Sequence, residues 1–139
     1  MTLKKAIRWI VLALWLTLVV FLSCQSGKAS GEMSAWLTKS LFRTTPPIAA
    51  HTILRLIAHF VIHLVLGVLL FQAARYNIPQ PVSFVLICGI PVAICDELIQ
   101  IFITGRVFEF SDIALNLAGI FAALIICTVA TPNTQTRSH

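Results

Sequence analysis

Residues Ile53 to Ala74 read ILRLIAHFVIHLVLGVLLFQAA. The stretch has the length a bilayer demands of a helix, about 20 residues for a hydrocarbon core roughly 30 Å thick. Its costly side chains, Arg55, His59 and His63, stand at i, i+4 and i+8, which stacks them on one helical stripe. Ionisable groups placed this way face the interior of a bundle and not the lipid.

Working outward, three more apolar stretches of similar length appear: roughly Trp9 to Ser23, Val82 to Phe102 and Ile113 to Ala130. Pro79 and Pro81 bracket the turn between the second and third stretches, where proline is well placed. Pro91 falls inside the third, about one turn before Asp96, and is expected to kink it and free a carbonyl. Hydrophobic residues make up 58% of the 139-residue chain and charged ones 11%, against about 25% charged in a soluble protein. So short a soluble domain could not hide that much apolar surface. The expected fold is therefore all-α: a polytopic membrane protein with four transmembrane helices, a single domain over residues 1–139.

The formal charge is +5, but the basic residues are spread along the chain and form no nucleic-acid tract. The excess reads as topology and lipid contact. Cys88, Cys95 and Cys127 lie in apolar runs and Cys24 ends the first one. Without a CxxC or His/Cys spacing, no metal ligand is assigned and the cysteines read as small hydrophobes.

Lys4, Lys5 and Arg8 before the first apolar run also resemble a signal peptide, and Phe21-Leu22-Ser23-Cys24 is a loose lipoprotein-type cleavage site. Phe21 is a poor match there and no soluble domain follows, so an uncleaved helix is expected. Between the first two spans, Met33, Trp36, Leu37 and Leu41 recur at helical spacing, with Lys39 and Arg43 for the polar side. This predicts a short interfacial helix over Ser34 to Arg43, capped by Ser34 or Ser30, with Trp36 at headgroup level. The tail from Thr131 is short and polar.

Four alternating spans put both termini on one side, with Lys4, Lys5, Arg8, Arg75 and Arg137. Lys28, Lys39, Arg43, Arg55 and Arg106 fall on the other, a tie in number. The first helix usually dominates, so both termini are expected to be cytoplasmic, in a bacterial inner membrane.

The costly residues converge. Asp96, Glu97 and Gln100 lie near the end of the third span, Arg106 follows Gly105 in the next loop, and Asp112 and Asn116 open the fourth. At 1.5 Å per residue, His59, Glu97 and Asn116 each come roughly 5–10 Å inside the same face. Each has a structural alternative. Arg55 can snorkel, Asp112 or Ser111 can cap the fourth helix, and Gln100 and Asn116 can be interhelical glue worth about 0.6 kcal/mol each. The acidic pair is harder to dismiss, because an acidic residue at a span's centre costs about 2.5–3.5 kcal/mol on insertion scales. The candidate polar pocket is thus Arg55, His59, Asp96, Glu97, Gln100, Arg106, Asp112 and Asn116, with Glu97 the functional carboxylate beside Arg106.

Arg55-Leu-Ile-Ala-His59-Phe60, Leu66-Gly67, Asp96-Glu97-Leu-Ile-Gln100, Gly105-Arg106, and Asp112 through Asn116 to Gly119 together resemble the VanZ-like family, in order and over nearly the whole chain. Ser23-Cys24-Gln25-Ser26 is similar to that family's serine-rich ending of the first helix, while Leu56, His63 and Ala123 depart from a frequent lysine, tyrosine and glycine. The resemblance implies an envelope role. The name-giving member is associated with reduced susceptibility to teicoplanin, a lipid-tailed glycopeptide, although most relatives lie outside resistance clusters. No catalytic mechanism or cofactor carries over. Three functions follow as expectations. The first is an outward-facing pocket for an envelope lipid or lipid-linked headgroup, with Arg55 and Arg106 on phosphate. The second is a membrane-embedded enzyme using His59 with Glu97 or Asp112, alone or around a divalent metal. No HExxH is present to support it. The third is a small transporter subunit, in which Ala114, Ala118 and Ala122 would support self-association.

Overall fold

The computed structural model of the chain describes residues 3–42 and 48–131. Five helices follow one another: α1 (Leu3–Ser23), α2 (Gly27–Phe42), α3 (Ile48–Ala74), α4 (Pro81–Gln100) and α5 (Phe110–Ala130), with no strand among the described residues. Four of them, α1, α3 from Thr52, α4 and α5, are long and apolar enough to cross a membrane. Large apolar side chains point outward along them: Leu14, Ile87 and Val129 are each 66% exposed or more. The polar residues His63, Glu97, Asp112 and Asn116 are fully enclosed. Such an inside-out distribution is stable only where the solvent is hydrocarbon.

Several boundaries differ from the sequence expectation, each for a local reason. The first helix starts at Leu3 and takes in the basic residues ahead of Trp9, since lysine and arginine are good helix formers. The connecting helix starts at Gly27 and not Ser34, and its cap is Ser26, whose Oγ accepts from the Ala29 amide at 3.2 Å. Ser30 and Ser34 lie inside it. Arg43 and the tail beyond Thr131 fall outside the described residues. Helix α4 continues through Pro91 but stops at Gln100, before Phe102. There Phe102 N donates to Ile99 O (3.0 Å) and Ile103 N to Gln100 O (3.1 Å), the tightened pattern that ends a helix. The N-cap of α5 is Glu109, so neither Asp112 nor Ser111 caps it.

The most extensive helix contact is between α3 and α5. A side chain on Gly119 would run into the Phe60 carbonyl and come within 2.8 Å of the Leu64 amide nitrogen, so α5 lies against the bare backbone of α3. This close approach brings Asn116, one turn before Gly119, within reach of His59.

Contacts at the two ends of the bundle establish its up-and-down course. At one end Arg8 and Arg75 both stack on Tyr76, with Cζ 4.3 and 4.7 Å from the ring centroid, and Trp9 meets Phe84 edge-on. At the other, the Gly27 amide donates to the Thr104 carbonyl at 3.1 Å, tying the start of α2 to the α4–α5 loop. Any side chain on Gly27 would strike the Gly105 carbonyl, and Gly105 itself has φ +77°. The polar residues gather at this second end.

Candidate functional site

At the centre of the site is the Asn116 side chain. Its Nδ2 donates to the Ala93 carbonyl and to Asp96 Oδ2, both at 3.2 Å, and its Oδ1 lies 3.0 Å from His59 Nδ1. A backbone carbonyl can only accept, which fixes the amide orientation and makes Oδ1 an acceptor. His59 therefore carries a proton on Nδ1. Its other nitrogen, Nε2, faces Asp112 Oδ2 at 3.4 Å.

Asp96 is shared among three helices. Ser23 Oγ hydrogen-bonds its Oδ1, with the Val19 carbonyl 2.8 Å away as the alternative acceptor. His59 Nδ1 and His63 Nε2 stand 3.7 and 4.0 Å from its Oδ2. His63 Nδ1 donates to the His59 carbonyl at 3.1 Å. The polar end of α1 thus enters the cluster through Ser23. Position 63, where this chain departs from its resemblance, enters it as well.

Glu97 points elsewhere, as adjacent helical residues must. Its Oε1 accepts from the Glu109 amide at 2.9 Å, closing the start of α5 from a neighbouring helix. A carboxylate there also meets the positive end of the helix dipole. Arg106 does not pair with it, contrary to expectation. Gly105 turns the loop so that Arg106 reaches the end of α1, where the final carbonyls have no helical partner. Nε donates to Gln25 O (3.3 Å), Nη2 to Leu22 O (3.5 Å) and Nη1 to Gln100 Oε1 (3.2 Å).

Arg55 takes a partner the sequence did not suggest. Its Nη2 lies 2.6 Å from Glu109 Oε1 and 3.7 Å from Asp112 Oδ2. The Arg55 hydrogen bond holds the Glu109 carboxyl below its ordinary value near 4.5. Snorkelling to headgroups is thus replaced by an ion pair. Among the described residues, four buried side-chain atoms have no hydrogen-bond partner: Arg55 Nε, His63 Nε2, Glu97 Oε2 and Asp112 Oδ2.

Two cavities adjoin this network. A chamber of about 250 Å³ runs between α1, α2 and α3, walled by Val19, Leu22, Met33 and Leu37, with His59, Asp96 and Gln100 on its polar side. A vestibule of about 390 Å³ is lined by Gly31, Thr52, Val107 and Glu109. Arg55 and Arg106 line both.

Four bilayer-length apolar helices around an enclosed charged network define a multi-pass membrane protein. The chain belongs to the VanZ/LLP1 family, whose model matches residues 8–131. Neither the curated proteins nor the solved structures include a match to it.

Proposed function

We propose that the protein binds the anionic headgroup of an envelope lipid or lipid-linked intermediate, with phosphate at Arg55 and Arg106 and an acyl or prenyl tail along the apolar wall of the chamber. One observation carries this reading: both guanidiniums line the junction of the two cavities and keep unspent donors. Arg55 Nε has no partner, and Arg106 uses three of the five N–H groups a guanidinium offers. An amphipathic chamber with convergent donors suits a ligand that is half lipid and half anion. The polar end faces away from the cytoplasm of a bacterial cell in this proposal, and modulation of glycopeptide susceptibility is its natural phenotype.

The test is the lipid that stays with the protein through extraction into lipid nanodiscs, quantified by mass spectrometry. Enrichment of a phosphate-bearing lipid over the bulk membrane is expected in the wild type, with loss in Arg106→Ala. Lys39→Ala, in the exposed part of α2, should match the wild type. Equal enrichment in a folded Arg106→Ala protein would end this reading.

A further inference from the structure

We propose that His59, Glu97 and Asp112 form a binding site for one divalent first-row metal ion, with Asn116 as the residue that positions the imidazole. One ligand atom from each of the three lies within 4.8 Å of the other two. Two donors on a tetrahedral ion at about 2.1 Å are ~3.4 Å apart, and His59 Nε2 to Asp112 Oδ2 is 3.4 Å.

The protonation pattern supplies a second, independent reason. Asn116 obliges Nδ1 of His59 to carry a proton, so a neutral ring aims its lone pair at a carboxylate oxygen that has no hydrogen bond, with Arg55 Nη2 3.7 Å away. Asp112 and Glu97 are each wholly buried, and each keeps one oxygen without a hydrogen bond. A neutral imidazole lone pair facing a buried carboxylate is repulsive, and a cation held between the two removes that repulsion, as a proton would. The charge of the whole network agrees. The network holds four carboxyl groups, Asp96, Glu97, Glu109 and Asp112, and two guanidiniums. Arg55 pairs with Glu109 and Asp112, and Arg106 with neutral acceptors, so with ionised carboxylates and neutral imidazoles two negative charges remain uncompensated. A single divalent ion cancels them.

One imidazole and two carboxylates suit zinc, manganese or iron(II) better than a soft ion. The Nδ1–H to Asn116 bond is the outer-shell contact that metal-bound histidines characteristically make. Three protein ligands leave a coordination position for water or for an oxygen of whatever fills the chamber, which His59 also lines. No local spacing marks the site, because its ligands come from α3, α4 and α5; the convergence of those spans is what set His59 beside Glu97 or Asp112 in the sequence.

Zinc content is the probe, measured by elemental analysis on tag-free protein in detergent after zinc loading and dialysis. About one zinc per chain is expected, together with a zinc-dependent rise in Tm. Asp112→Asn and Glu97→Gln, which keep shape but remove charge, should not retain it. Asn116→Ala should weaken zinc affinity by about 10–100-fold. No zinc above background in folded wild-type protein, with no change in Tm, would overturn the proposal. Undiminished zinc in both charge-removing variants would overturn the ligand assignment. If those variants fail to fold, wild-type stoichiometry and the Tm response decide. Lipid in the same preparations reports separately on the headgroup reading, which can fail while zinc still binds.

Discussion

Asn116 ties three helices together through one amide, so its replacement should cost more than an average membrane hydrogen bond. Such bonds average about 0.6 kcal/mol because the unfolded chain also finds partners in the bilayer. Asn116→Leu removes three at once and takes the partner from the His59 Nδ1–H and from Asp96 Oδ2, while the Ala93 carbonyl keeps its place in the α4 ladder. Each stranded group costs about 1–3 kcal/mol, so a loss of several kcal/mol is expected in chemical unfolding in detergent. A variant as stable as the wild type would show that the amide bears no load. Glu109 is the opposite case, a partly exposed pair. Its side chain is 40% exposed, so the bond to Arg55 is worth about 1 kcal/mol at most. Its carboxyl is depressed by Arg55, so the contribution is full above the ordinary value near 4.5 and disappears as pH falls through the lowered one. The stability gap between wild type and Glu109→Gln should stay constant from neutral to mildly acidic pH and close only below that. A gap that closes near pH 6 would contradict the Arg55–Glu109 origin of the difference. Glu109 was not legible in the sequence: a lone acid in the short loop after Val107 has no periodicity, and its partner is on a helix far back in the chain.

Among the helices, glycine positions give predictions of opposite sign. Gly119→Ala would drive a methyl into the Phe60 carbonyl and the Leu64 amide nitrogen, backbone atoms that cannot step aside. Helices α3 and α5 would have to separate, at a cost of about 1–3 kcal/mol or more, and His59 would lose Asn116. Gly31→Ala in α2 meets nothing within 4 Å, so it should stabilise by about 0.5–1 kcal/mol through helix propensity alone. Thermal unfolding of both variants tests the pair, and equal shifts would contradict the close α3–α5 approach. The spans themselves were legible because a bilayer imposes length and apolarity on each helix separately. Their ends were not. The cap of α2 is Ser26, one of several serines any of which satisfies the local rule, and contact of Gly27 with the α4–α5 loop accompanies that choice. The partner of Arg106 was misjudged for the same reason: nearness in sequence favoured Glu97, while the turn at Gly105 delivers the guanidinium to the Leu22 and Gln25 carbonyls where α1 gives way to α2.

Across the molecule, the two ends differ in what their basic residues are doing, and that difference breaks the tie in the charge count. Arg55 and Arg106 are engaged by Glu109, by Gln100 and by the end of α1, so they belong to the network and not to the membrane surface. That leaves Lys28 and Lys39 as the described flanking cations on the polar end, neither next to a span as tightly as Lys4, Lys5 and Arg8 are. At the opposite end Arg8 and Arg75 sit on Tyr76, an amphipathic ring suited to the headgroup level. Positive flanks that are free to meet headgroups set orientation, while cations neutralised inside the fold contribute little. Reporters fused to either terminus should therefore read as cytoplasmic. Val107 is 70% exposed in the α4–α5 loop, so Val107→Cys in a Cys24→Ser background should react with a membrane-impermeant thiol reagent in intact cells. Labelling only after permeabilisation would invert the protein, and the anionic ligand would then have to come from the cytoplasmic leaflet. Termini on opposite sides would require an odd number of crossings and would separate the polar residues of α3, α4 and α5.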